Sequence, residues 1–99
     1  MKTAFIVIRS PQELDPTHLM HRVASRDEAS VVLFEDAVYN ALRKGPAERL
    51  AKAANEVLVA ADDLEARGFT PKDLKVGKAV PYGDIVDCIM ERTERTVTV

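Results

Sequence analysis

Apolar positions along this chain fall into short unalternating runs separated by amphipathic stretches. Ala4-Phe5-Ile6-Val7-Ile8, Val31-Val32-Leu33-Phe34 and Val57-Leu58-Val59-Ala60-Ala61 are the clearest of these runs. A run without alternation reads as a strand buried on both faces, as in a parallel sheet. The runs predict strands over 3–9, 31–35 and 56–61. A short fourth strand is expected within 75–81, where Gly77 weakens the pattern. Thr96-Val97-Thr98-Val99 alternates instead, which predicts a half-buried edge strand.

The stretches between the runs carry helix signals. Asp15 and Pro16 suit an N-cap and a first helical position, and Leu19, Met20, Val23 and Ala24 form the apolar stripe that follows. A helix from Ala37 turns Ala37, Val38, Ala41 and Leu42 inward until Gly45-Pro46 stops it. An Ala-rich helix over 47–54 has Leu50 as its anchor, and a short helix over 64–67 closes on Gly68. The last helix, over 82–92, places Ile85, Val86 and Ile89 on its core face. This βαβαβαβαβ order predicts a mostly parallel five-stranded sheet with helices on both faces, a three-layer α/β fold in one domain over 1–99.

A parallel sheet brings the carboxyl ends of its strands to one edge, where open α/β sheets bind their ligands. Ser10-Pro11, Glu35-Asp36, Asp62-Asp63 and Pro81-Tyr82-Gly83-Asp84 are all expected there. Glu35, Asp36, Asp62, Asp63 and Tyr82, with Tyr39 one turn into the following helix, form a candidate partner- or ligand-binding rim. The alternative is that Asp36, Asp62 and Asp84 cap the helices they precede, the usual work of an Asp at that place. On this reading Asp36 is chiefly a cap at a partner-facing edge. No glycine-rich phosphate loop occupies the edge, so no nucleotide cofactor is expected.

Other candidate chemistry is sparse. His18 and His21 lack the further ligands that a metal site needs and read as solvated. Cys88, the one catalytic candidate, sits between Ile85 and Ile89 with Asp87 and Glu91 nearby, which suits a buried, inert thiol. Lys72, Lys75 and Lys78 read as a solvated loop face. A net charge of -2 over 99 residues leaves no basic footprint for nucleic acid. No apolar run approaches the roughly 20 residues of a membrane span, and the run at 4–8 is too short for a signal-peptide core. A single cysteine excludes an internal disulfide and points to a reduced, cytosolic setting.

Several segments together resemble a known family. Arg9-Ser10-Pro11, the stretch from Val32-Leu33-Phe34-Glu35-Asp36-Ala37 to Val38-Tyr39-Asn40-Ala41-Leu42, Asp63-Leu64-Glu65-Ala66-Arg67-Gly68-Phe69, and Val80-Pro81-Tyr82-Gly83-Asp84-Ile85-Val86 look like DsrH/TusB, in the same order and with similar spacing. These proteins belong to the DsrE/DsrF/DsrH superfamily of sulfur-relay proteins. The resemblance implies a flavodoxin-like α/β layout and cytosolic assembly with DsrE/TusD-like and DsrF/TusC-like subunits; no cofactor is expected from the residues themselves. Such complexes pass persulfide sulfur towards tRNA 2-thiouridine synthesis or sulfur oxidation. Some members carry a cysteine in the first helix, at or next to the place of His21 here, where this chain reads Met20-His21-Arg22. The family's usual glycine after its acidic residue is replaced by Ala37. Without that cysteine, a non-catalytic subunit is the leading expectation. The alternatives are sulfur transfer through Cys88 and a stand-alone homo-oligomer that binds at the rim, self-associating through its terminal edge strand.

Overall fold

A computed structural model describes residues 1–99. Five parallel strands form one sheet: β1 (Thr3–Val7), β2 (Ala29–Leu33), β3 (Glu56–Ala60), β4 (Lys78–Val80) and β5 (Arg95–Thr98), in the order β4-β3-β2-β1-β5. The layering is the expected one. Sending β2, β3 and β4 to one side of β1 distinguishes this order from the flavodoxin order 2-1-3-4-5. In register, Phe5 lies beside Val31 and Val31 beside Val57, while Ile6, Val32 and Leu58 form the next row.

The strand order decides which face each helix covers. Right-handed crossovers stepping one way place their helices on one face, and a return step places its helix on the other. The first three crossovers carry α1 (Thr17–Val23), α2 (Tyr39–Leu42), α3 (Lys44–Ala53) and α4 (Ala61–Ala66). Their Met20, Ala41, Leu50 and Leu64 share one core with Phe5, Val7, Val31, Leu33, Val57 and Val59. The return crossover carries α5 (Tyr82–Asp87), which continues into a π-helical turn at Cys88–Arg92. There Ile85 and Cys88 pack on Val32, Leu58, Ala60 and Val80 in a smaller core.

Local structure departs from the sequence expectations at several places. Gly45-Pro46 does not end a helix; both lie in the first turn of α3, where a proline's missing N–H costs nothing. The break falls instead at Arg43, whose backbone is extended. Leu19 is exposed, not in the core stripe of α1, and Val86 is exposed on α5. The strand over 75–81 shortens to three residues because Gly77 precedes it with φ 75° and passes so close to β3 that a Cβ would meet the Val57 carbonyl oxygen at 2.5 Å. Gly68, at φ 83°, does terminate α4 in the left-handed conformation expected of it.

Candidate functional site

The carboxyl edge gathers the acidic residues, but they are not caps. After β2 the chain enters a 3-10 turn at Glu35–Val38 whose N-cap is Phe34, so Asp36 lies inside the turn. α4 is preceded by Ala60 and α5 by Pro81, and neither helix has a side-chain cap. Asp62, Asp63 and Asp84 instead occupy first turns, where negative charge suits the helix dipole. Capping, the main structural explanation for Asp36, Asp62 and Asp84, is therefore overturned.

Asp63 is the hub of the edge. Its Oδ1 accepts the Tyr82 hydroxyl at 2.7 Å and its Oδ2 accepts the Glu35 amide at 2.8 Å. The second bond holds Glu35 at φ 50°, a left-handed conformation that a non-glycine residue adopts at some cost. The first bond, followed by burial and the nearby charges of Asp63, Asp62 and Glu35, pushes the Tyr82 hydroxyl up to about 12. Tyr82 also stacks on Phe34, with centroids 5.9 Å apart and planes 13° apart. Arg67 closes the other side: its Nε donates to Asp36 Oδ1 at 3.0 Å and its Nη1 to the Asp63 carbonyl at 3.1 Å. Glu35, Asp36, Asp63 and Tyr82 are thus joined in one network, and Asp62 adds an exposed charge beside it.

Tyr39 is the exception. It packs edge-to-face on Phe69, 5.8 Å between centroids, with the Arg43 guanidinium 5.8 Å from its ring. It belongs to the α1–α4 side of the sheet, not to the surface around Tyr82. What the residue pattern does not reveal is the apolar half of the edge. Ile6, Ile8 and Phe34 line a shallow groove of about 380 Å³ together with Glu35, Asp63 and Tyr82. The runs at 4–8 and 31–34 hold these residues, yet only the strand order leaves them uncovered.

Cys88 lies at the opposite, amino edge and is fully buried. Its Sγ sits 3.6 Å from Glu56 Oε1, which also accepts the Ser30 hydroxyl at 3.0 Å. Arg92 Nη1 donates to Glu56 Oε2 at 2.8 Å. Burial and the Glu56 charge push the Cys88 thiol up, and the Arg92 charge offsets this only in part. The Arg92 and Ser30 bonds outweigh burial at Glu56 and hold its carboxyl below the usual value, keeping that charge in place. A protonated thiol without solvent access is a poor nucleophile. A polar cavity of about 790 Å³ opens beside this cluster, lined by Lys2, Glu28, Ser30, Glu56, Lys78 and Arg92. Its mixed charge has no local signature in the sequence, since the residues come from the amino ends of separate strands and from the helix end.

His18 and His21 are exposed on α1, with His18 Nε2 4.0 Å from Asp15. Asp15 itself accepts the Thr17 amide and hydroxyl at 2.9 and 2.6 Å, so it anchors the start of α1 one residue later than expected. Of the three lysines, Lys78 lines the amino-edge cavity, while Lys72 lies in a separate 3-10 turn at Pro71–Asp73. No helix is long and apolar enough to cross a membrane.

The family model described as DsrH like protein matches residues 9–95. No match was found among curated proteins.

Proposed function

Because the chain belongs to the DsrH-like family, we propose that it is a non-catalytic subunit of a cytosolic sulfur-relay assembly, built with DsrE/TusD-like and DsrF/TusC-like subunits. The partners' cysteines carry the persulfide, and this chain shapes the assembly around them. The pathway served is tRNA 2-thiouridine synthesis or sulfur oxidation. The observation that carries this reading is the state of Cys88, the only cysteine: buried, protonated and held beside a carboxylate. The first helix offers no substitute, since His21 and Arg22 are exposed where some relatives have a cysteine and Met20 is buried.

The rim supports the same reading. Two of its carboxylates are held, Asp63 by a backbone amide and a phenol and Asp36 by a guanidinium, an arrangement that fixes this part of the edge as a shaped surface. The test is co-expression with a DsrE-like and a DsrF-like subunit, followed by native mass measurement of the purified complex. A stoichiometric hetero-oligomer is expected. A chain that stays alone in the presence of both folded subunits contradicts the proposal.

A further inference from the structure

The second face of the sheet is only half covered. α5 and its π turn lie over β2, β3 and β4, and no helix crosses the carboxyl half of β1 or the neighbouring β5 on that side. Parallel sheets bury both faces, so an open part of this kind needs a cover. Of six exposed large apolar side chains in the protein, Ile8 at 40% and Tyr82 at 41% border this part, and Val86 at 53% and Met90 at 75% lie on α5 and its π turn. Ile8 and Tyr82 line the groove with Ile6 and Phe34. Val86 follows Tyr82 by one turn of α5, and Met90 stands further on, in the π turn towards the amino edge.

The helix ends in a π turn. The Thr93 hydroxyl lies 3.1 Å from both the Cys88 and the Ile89 carbonyl, bracing the widened last turn. Turns of this type recur at functional places in helices. Met90 is left as the most exposed large apolar residue of the chain.

Charge decides what fits. Glu35 and Asp63 border the groove and Asp62 stands beside them, whereas Asp84, Asp87 and Glu91 line other parts of the surface together with Lys78 and Arg92. None of the three carboxylates at the groove forms an ion pair. Arg67, which reaches the Asp63 carbonyl, is already paired with Asp36. A second copy of this chain would bring the same acids against their like, and like-charge juxtaposition disfavours an interface.

We propose that this strip, formed by Ile6, Ile8, Phe34, Tyr82, Val86 and Met90, is the docking surface for a partner subunit that presents an apolar patch bordered by lysine and arginine. The proposal rests on the sulfur-relay reading and assigns the face through which the chain joins its assembly. Aromatic and methionine side chains are favoured at the centres of such interfaces, and a charged rim sets the rate of encounter.

The test measures binding of the intact chain to separately purified DsrE-like and DsrF-like subunits. M90E and V86D change exposed positions and leave the core intact; each is expected to weaken one of the two complexes by about 30-fold or more. L19E, on the exposed side of α1, serves as the control and leaves affinity unchanged. E35K combined with D62K slows association and reduces its salt dependence. Wild-type binding that M90E and V86D leave intact overturns the assigned surface but not the sulfur-relay reading. Absence of wild-type binding overturns that reading and the assigned occupant together. Self-association of the wild-type chain that is lost in M90E replaces the basic partner with a second copy.

Discussion

The two faces of the sheet are built from the same three central strands but finished differently. One face meets α1, α2, α3 and α4 and buries Phe5, Leu33, Leu50 and Leu64 almost completely. The other meets α5 alone, and its buried set ends at Ile85 and Cys88. The closed face accounts for most of the folding free energy through apolar burial. The half-open face spends less of its apolar surface on folding and keeps Ile8, Val86 and Met90 outside. The difference arises from one topological fact: a single crossover returns from β4 to β5.

Truncations on the two faces test this division most strongly. Phe5→Ala removes the largest fully buried side chain of the closed face and should cost about 3–5 kcal/mol, measured by urea unfolding. Ile85→Ala, under the thinner layer, should cost about 2 kcal/mol, the low end for such a change, because its surroundings relax more easily. Equal losses, or a larger one for Ile85, would erase the asymmetry.

The thiol gives the next contrast. Cys88 should resist alkylation in the folded protein and react fully once urea unfolds it, as followed by intact mass. Rapid labelling under native conditions would place the thiol at the surface and restore sulfur transfer as a reading.

A pH series then isolates the edge network. The Asp63 bond above all, with burial and the charges of Asp63, Asp62 and Glu35, pushes the Tyr82 hydroxyl from its ordinary 10.0 up to about 12 in the folded state. The unfolded chain therefore loses this proton first. The contribution is full below pH 10, declines between 10 and 12, and is lost as pH rises through the folded value. Tyr82→Phe should flatten that part of the stability profile; an unchanged profile would remove the Tyr82–Asp63 bond from the account. The smallest effect is expected at Glu35. Glu35→Gly relieves a positive φ at the expense of unfolded-state entropy, so stability should rise by no more than about 1 kcal/mol. A clear loss would mean that the Glu35 side chain itself holds the edge.

Much of the architecture is legible in the residue pattern, for identifiable reasons. Continuous runs such as Val31-Val32-Leu33 require cover on both sides, and crossover-length connections between them dictate parallel pairing. The candidate rim followed from that step, and Glu35, Asp36, Asp63 and Tyr82 do converge. What escaped depends on geometry that periodicity does not encode. Val86 fits an ideal helical stripe, but the helix axis over β3 aims Ile85 and Cys88 inward and leaves Val86 to the side. Asp36 follows a strand and precedes a helix, yet the left-handed Glu35 moves the turn forward and frees Asp36 to pair with Arg67. Strand order, which decides what the second face leaves open, has no local signature at all.

We propose that this chain supports sulfur relay without carrying sulfur. The most direct test loads the assembled complex with a persulfide donor and measures the intact mass of every subunit. Sulfur should appear on the partner subunits, and this chain should keep its original mass. A gain of one sulfur atom at Cys88, lost in Cys88→Ser together with transfer, would contradict the account.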